Sequence, residues 1–557
     1  MKKWKCLALA TMLASTAALG ACSPSSGSDS EQVLDIYCLY KGYQDEWLTS
    51  AIELFKQQDW VKEKYPELEV TYTQDGVQGM AGQKLSQGKS MNKFDLMFSV
   101  LLTGEAGGSL IADLTDSVYL TEVPGEPGVK VIDKIPDYIL ERMAYEGAAE
   151  RSDGYDTYYN TCYIEGAYGL MYNADLLKQM DKSVPVTSDE FIELCRYIMN
   201  NGYSFTVGGE TKTSYAGIMN ASENQYWDTA FQIWWAQYEG YDEFVNFFKG
   251  IKDSERTNKV LEQKGRLRSL ELMEQVFGEE WTKEDGTEMI GYGYESSHAI
   301  NYIVCQTNFL SGNGVFHYNG DYFPMEMSIT ADALKAQGID YDIRYMKMPV
   351  ISAIVERLEY REGESYMPDT MLADIVREID NDVLYDDSEA KTKGVSAEDF
   401  AIIVDARRIP LRNTGGTQTT AIPSYSPAKE VAFDFLRFMY TDIAIENFYK
   451  TGKGVMFPVK YDVRQDAEIY KDLNKIQKSK LDLIAGTTNY PSYQLPTAET
   501  FPLGKEGLAP LTVWKSKFEV AFTVPKERRT TAQDIYQDDI DYWNEDTWKQ
   551  LVSRAGY

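Results

Sequence analysis

The sequence predicts an α/β fold built from two doubly wound regions. Three observations carry that prediction. Strand-patterned and helix-patterned segments alternate through the first hundred residues. A second region of the same kind begins near residue 155. The chain has 557 residues, enough for two domains or one large bilobed unit.

The elements follow in order. Val33 to Tyr40, VLDIYCLY, alternates partly and is closed by Lys41-Gly42, so it reads as a first strand. Asp45 to Gln58 places Trp47, Leu48, Ala51, Ile52 and Phe55 on one helical face. Leu68 to Thr73 and Phe94 to Leu101 read as two more strands, with a short helix around Gln83 to Gln87 between them. Strands separated by helices imply a largely parallel sheet. In the second region, Tyr168 to Tyr172 reads as a strand and Asn173 starts a helix. Thr187 and Glu190 have capping-box spacing, ahead of an amphipathic stripe of Phe191, Leu194, Cys195 and Ile198. Ser426-Pro427 reads as a helix N-cap with proline at the first helical position. Val431, Phe435, Phe438 and Met439 share a side of the helix behind it. The acidic stretch Glu378 to Asp387 reads as a solvated insertion, since it lacks the glycine and glutamate of a calcium-binding loop.

The N-terminus predicts export. Lys2, Lys3 and Lys5 precede a mildly apolar run from Cys6 to Ala18, of signal-peptide length and too short to span a bilayer. The run ends in Leu19-Gly20-Ala21-Cys22, which resembles a bacterial lipobox, so Cys22 is the expected lipid attachment site. Two acyl chains would anchor it stably. SPSSGSDS, Ser23 to Ser30, is a polar tether. The alternative at this site is plain secretion after a small-residue cleavage site. Residues 1–21 are therefore expected to be a signal peptide and 22–32 a flexible tether.

Composition narrows the partners. A formal net charge of −31 argues against nucleic acid, which needs clustered Lys and Arg to neutralise phosphates. Past Cys22, the cysteines Cys38, Cys162, Cys195 and Cys305 have no paired spacing and read as buried small hydrophobes. No phosphate-binding loop, dinucleotide fingerprint, zinc-protease motif or nucleophile elbow is present, so no enzyme activity, cofactor or metal is expected. A glycosidase needs only two carboxylates at a suitable separation, and 86 acidic residues leave that alternative open.

Three segments, in order, resemble the extracellular solute-binding proteins of carbohydrate ABC transporters, the maltose-binding-like family 1. They are Gly169 to Ile198 (GLMYNADLLKQMDKSVPVTSDEFIELCRYI), Gly314 to Ser328 (GVFHYNGDYFPMEMS) and Ala421 to Lys460. The first resembles the family's strand, helix start and Pro-x-Thr capping motif. The second resembles its strand ending in Asn-Gly-Asp-Trp, with Tyr322 where tryptophan is usual. The third resembles its Ser-x-x-Lys helix and Gly-x-x-Pro-Val end.

The resemblance implies a two-lobed, periplasmic-binding-protein-like fold with hinge strands between the lobes. The first lobe is expected from 33–150 and 415–500. The second is expected from 151–414 and 501–557, with insertions near 240–300 and 355–410. It implies a monomeric receptor, lipid-anchored on the extracytoplasmic face of the membrane, that delivers a saccharide to ABC permease subunits. A peptide-binding or sensor lipoprotein is a further alternative.

Ligands of doubly wound sheets sit beyond the carboxyl ends of the strands. That rule points to Tyr40 and Tyr43 after the first strand, to Asp75, and to Thr103 and Glu105 after the third strand. In the second lobe it points to Tyr163 and Glu165. The resemblance adds Tyr322, Asp321 and Trp514. A pyranose presents an apolar C–H face to an aromatic ring and a rim of hydroxyls to carboxylates and Tyr hydroxyls. Phe316 and Tyr318 share strand parity and read as core, whereas the turn at Gly320 would turn Tyr322 out as a stacking ring. Asp321 reads as a turn-former or as a rim hydrogen-bonder. Trp227, Trp234 and Trp235 read as a helix core.

Overall fold

The computed structural model describes residues 32–557 apart from 40–41, 78–79, 101–108, 146–147, 165, 222–225, 295, 414–417, 453–454, 499–500 and 514–529. Two mixed sheets organise it. Their strands in chain order are β1 (Val33–Leu39), β2 (Glu69–Asp75), β3 (Leu96–Val100), β4 (Cys162–Ile164), β5 (Ala167–Asn173), β6 (Ile218–Met219), β7 (Phe316–Gly320), β8 (Ile343–Met346), β9 (Leu411–Asn413), β10 (Gln418–Ala421) and β11 (Gln494–Leu495).

The first sheet has the order β2-β1-β3-β10-β4. β1 pairs parallel with β2, Leu39 opposite Asp75, and parallel with β3, Ile36 opposite Leu96. That parallel half is what the alternating segments predict. The second sheet has the order β11-β9-β5-β7-β6, with β8 also bonded to β5. Here β5 runs antiparallel to β7, β8 and β9, so this lobe departs from the largely parallel expectation. The sequence between β5 and β7 is too long for a simple crossover, and nothing in local patterning fixes the direction of return.

The chain passes between sheets where β4 gives way to β5 and where β9 gives way to β10. The expected first boundary, between 150 and 151, therefore moves past Ile164, because Cys162–Ile164 is a strand of the first sheet. The last one moves from 500 to near 474. The helix Lys475–Ala485 packs on the second sheet, where the Tyr345 N–H donates to Ser479 Oγ at 2.9 Å and Leu483 joins the core with Met171 and Phe309.

The main helices explain themselves. α1 (Glu46–Gln57) buries Trp47, Leu48, Ala51, Ile52 and Phe55, the face its periodicity predicts. α2 (Ser188–Asn201) starts at Thr187, whose side chain accepts from Glu190 N, and buries Phe191, Leu194, Cys195 and Ile198. Only half of the expected box forms there. The Glu190 carboxylate accepts instead from Val186 N at 2.9 Å and pairs with Arg377 at 2.6 Å. α3 (Trp227–Glu239) is buried nearly all round, with Trp227, Trp234 and Trp235 inside.

α4 (Lys429–Phe438) begins later than Ser426-Pro427 suggests. Ser426 is buried and donates to Asp95 Oδ1 at 2.6 Å while accepting from Ala428 N. α5 (Lys475–Ala485) carries a full capping box between Asn474 and Gln477. The acidic stretch is not simply solvated. Asp380 accepts from both Arg407 and Lys347, which hold its carboxyl down to about 2 against the opposing effect of burial. Cys38, Cys162, Cys195 and Cys305 are buried thiols outside any disulfide, as expected. Among the described residues no helix is long and apolar enough to cross a membrane.

β7 carries a pH-sensitive residue. His317 is buried, donates from Nδ1 to the Met219 carbonyl at 2.9 Å, and accepts at Nε2 from Asn319 at 3.0 Å. Burial lowers its pKa from 6.5 to about 4, and the Met219 bond opposes that shift. Between those values the unfolded chain binds a proton that the native chain does not. Stability therefore falls as pH drops through this window, by about 2 kcal/mol between pH 7 and 5. Denaturant unfolding at the two pH values should show a drop larger by that amount in the parent than in His317→Gln. Equal drops would contradict it.

Candidate functional site

β1 and β7 end at the same place, and that is where the site forms. β1 carries the chain to Gly42 and Tyr43, and β7 carries it to Asp321 and Tyr322. Gly42 has φ +87, a left-handed backbone conformation that suits glycine, and its α-carbon faces the Tyr322 side chain. The Tyr43 ring meets Tyr322 edge-on at 5.8 Å, and Tyr168 meets Tyr322 edge-on at 6.2 Å. Tyr226, just before α3, lies tilted at 6.3 Å from Tyr322. Three tyrosines, drawn from both lobes, thus surround the single half-buried ring of Tyr322. Such pairs favour edge-on geometry because a ring's positive edge meets the negative face of its neighbour.

Asp321 is 1% exposed, and both of its oxygens are engaged. Tyr43 Oη donates to Oδ1 at 3.2 Å, and Lys480 Nζ on α5 pairs with Oδ2 at 2.9 Å. Burial, and next the Asp321 charge, push the Tyr43 hydroxyl well above its usual pKa, so it stays protonated and donates. Tyr322 is pushed up in the same direction by burial first and by its tyrosine neighbours second. Gln44 Nε2 donates to the Met325 carbonyl at 3.3 Å, and Met325 packs into the core of the first lobe.

The structure thus brings together Tyr43, Asp321 and Tyr322 of the sequence-predicted residues. Asp321 is neither an exposed turn-former nor a free rim carboxylate, since Lys480 and Tyr43 occupy it. Tyr163 lies inside the first lobe, stacked on Trp47 at 5.3 Å, with its hydroxyl donating to Gln418 at 3.2 Å. Asp75 ends β2, accepts from Val77 N at 2.9 Å and lies beside Tyr37. Glu105, Glu165, Trp514, Cys22, Tyr40 and Thr103 lie outside the described residues.

Sequence reasoning missed Tyr168, Tyr226 and Lys480. Tyr168 could have been found, because it starts the strand that pairs with β7. Lys480 could not, because α5 reads as a mixed-charge surface helix. An open groove of about 960 Å³ lies elsewhere, between residues 460–468 and Leu481 and Ile484. Among the described residues no group of three or more His, Cys, Asp and Glu side chains gathers to hold a metal ion.

The arrangement can cover an apolar ligand face with rings and meet its rim with hydroxyls. Residues 42–265 match the family model described as bacterial extracellular solute-binding protein. The bacterial solute receptor AcbH, described as having an exclusive substrate preference for β-D-galactopyranose, has a similar fold. The TM-score is 0.53 at 13% identity, covering 94% of this chain and 100% of that one. A structure described for xylan utilization by Caldanaerobius polysaccharolyticus gives 0.51 at 13% identity, covering 92% and 100%. A chitin oligosaccharide binding protein gives 0.50 at 14% identity, covering 93% and 100%. No curated protein matches this chain. Over residues 42–265 the chain is thus similar to the bacterial extracellular solute-binding proteins, and its fold is similar to that of sugar receptors solved at 13–14% identity.

Proposed function

We propose that this protein captures a saccharide, and specifically an oligosaccharide, between its two lobes and delivers it to an ABC permease from a lipid anchor at Cys22. The observation that carries the reading is the ring cluster at the lobe junction. Tyr43 comes from one lobe and Tyr168, Tyr226 and Tyr322 come from the other. The sugar ligands named for the receptors of similar fold support the substrate class. A stacked ring plus several hydrogen bonds of about 1 kcal/mol each reaches micromolar affinity.

Tyr322→Ala tests the site. It should weaken saccharide binding by roughly tenfold to a hundredfold in calorimetry, with little change in melting temperature. Normal binding together with a large loss of melting temperature would make Tyr322 a packing residue. For the anchor, Cys22→Ala should release the protein into the medium. Continued detergent-dependent partition of that variant into membranes would rule the anchor out.

A further inference from the structure

We propose that Tyr43, Asp321 and Lys480 form a latch that holds the two lobes together in the absence of ligand. The inference rests on reading the lobes as mobile bodies around the hinge. It does not depend on what the ligand is.

The argument starts from where the charge sits. Asp321 and Lys480 belong to the same lobe, and their side chains are 1% and 3% exposed. Lys480 fixes one carboxylate oxygen by a 2.9 Å contact. Among the described residues, the donor to the other oxygen is the Tyr43 hydroxyl from the opposite lobe at 3.2 Å. No ion pair has to break when Tyr43 leaves, because both charges stay on one side. At Asp321 itself, opening exchanges one tyrosine hydrogen bond for water and separates no charge, so this contact is reversible. An ion pair spanning the lobes at this burial would resist opening far more, since separation would leave each charge without its partner.

Two neighbouring contacts act in the same sense. Gln44 donates to the Met325 carbonyl across the same seam. Met325 is fully buried and packs with residues of the first lobe. Tyr43 also touches Tyr322 edge-on, so closing the latch sets the ring proposed to face the ligand. Loss of one hydrogen bond to a charged group should shift the closed-to-open ratio by about tenfold. It should lower apparent ligand affinity through the smaller closed fraction alone.

The test is small-angle scattering of the full chain without any saccharide. Unliganded Tyr43→Phe should have a larger radius of gyration than the unliganded parent, with a nearly unchanged melting temperature. Gln44→Ala, which removes the second bond from a half-exposed side chain, should shift the radius in the same direction. Superimposable curves for the parent and both variants would overturn the latch. So would a Tyr43→Phe protein that melts much lower at unchanged radius, because the hydroxyl would then be an ordinary core bond. Either failure leaves the saccharide reading standing, since no sugar enters the measurement. Absence of sugar binding by the parent would in turn leave the latch measurable.

Discussion

Asp321→Ala should cost about 3–5 kcal/mol of unfolding free energy, one of the two largest effects expected of a single substitution here. The cause is the partner it leaves behind. Lys480 is 3% exposed and pairs with Asp321 at 2.9 Å. Without the carboxylate, an ammonium group remains out of water with its main compensation gone. Replacing both members should cost much less than the sum of the single changes. Denaturant unfolding of Asp321→Ala, Lys480→Met and the double variant gives the coupling directly. Additive losses would mean that the pair is not a buried unit.

Phe316→Ala should be comparably damaging, at about 3–5 kcal/mol. Phe316 is fully buried on β7, between β5 and β6, and its ring meets Phe191 edge-on at 5.1 Å. Its removal leaves a cavity between the sheet and α2 that rigid neighbours cannot fill. Saccharide affinity of the molecules that still fold should change little. That contrast with Tyr322→Ala separates the two halves of one sequence stretch. A Phe316→Ala protein that is as stable as its parent would contradict the core assignment.

The difference between what the sequence showed and what it hid follows a physical line. α1 was legible because burial of one helical face leaves a period of 3.6 in the local sequence, and Trp47, Leu48, Ala51, Ile52 and Phe55 carry that period. Phe316 and Tyr318 were legible for the same reason at a period of two. Asp321 was not, because its burial is decided by Lys480, 159 residues further on. Local spacing cannot report a partner at that distance. Ser426 misled similarly. A serine before a proline has the chemistry of a cap, but Asp95 on the first lobe takes its hydroxyl. Tyr163 has the position of a strand-end residue, while the stack on Trp47 holds it inside. The lobe boundaries shifted because three residues, Cys162–Ile164, complete a sheet begun more than a hundred residues earlier.

The central claim is that this protein takes a saccharide between its lobes and leaves it unchanged. Isothermal titration of the soluble chain with a panel of neutral oligosaccharides, followed by assay of the same samples for new reducing ends, tests it most directly. The account predicts stoichiometric binding of at least one member near micromolar affinity, about −8 kcal/mol, with no new reducing ends after prolonged incubation. Turnover of a bound saccharide would move the protein to the glycosidase reading, and no heat with any member of the panel would contradict the account.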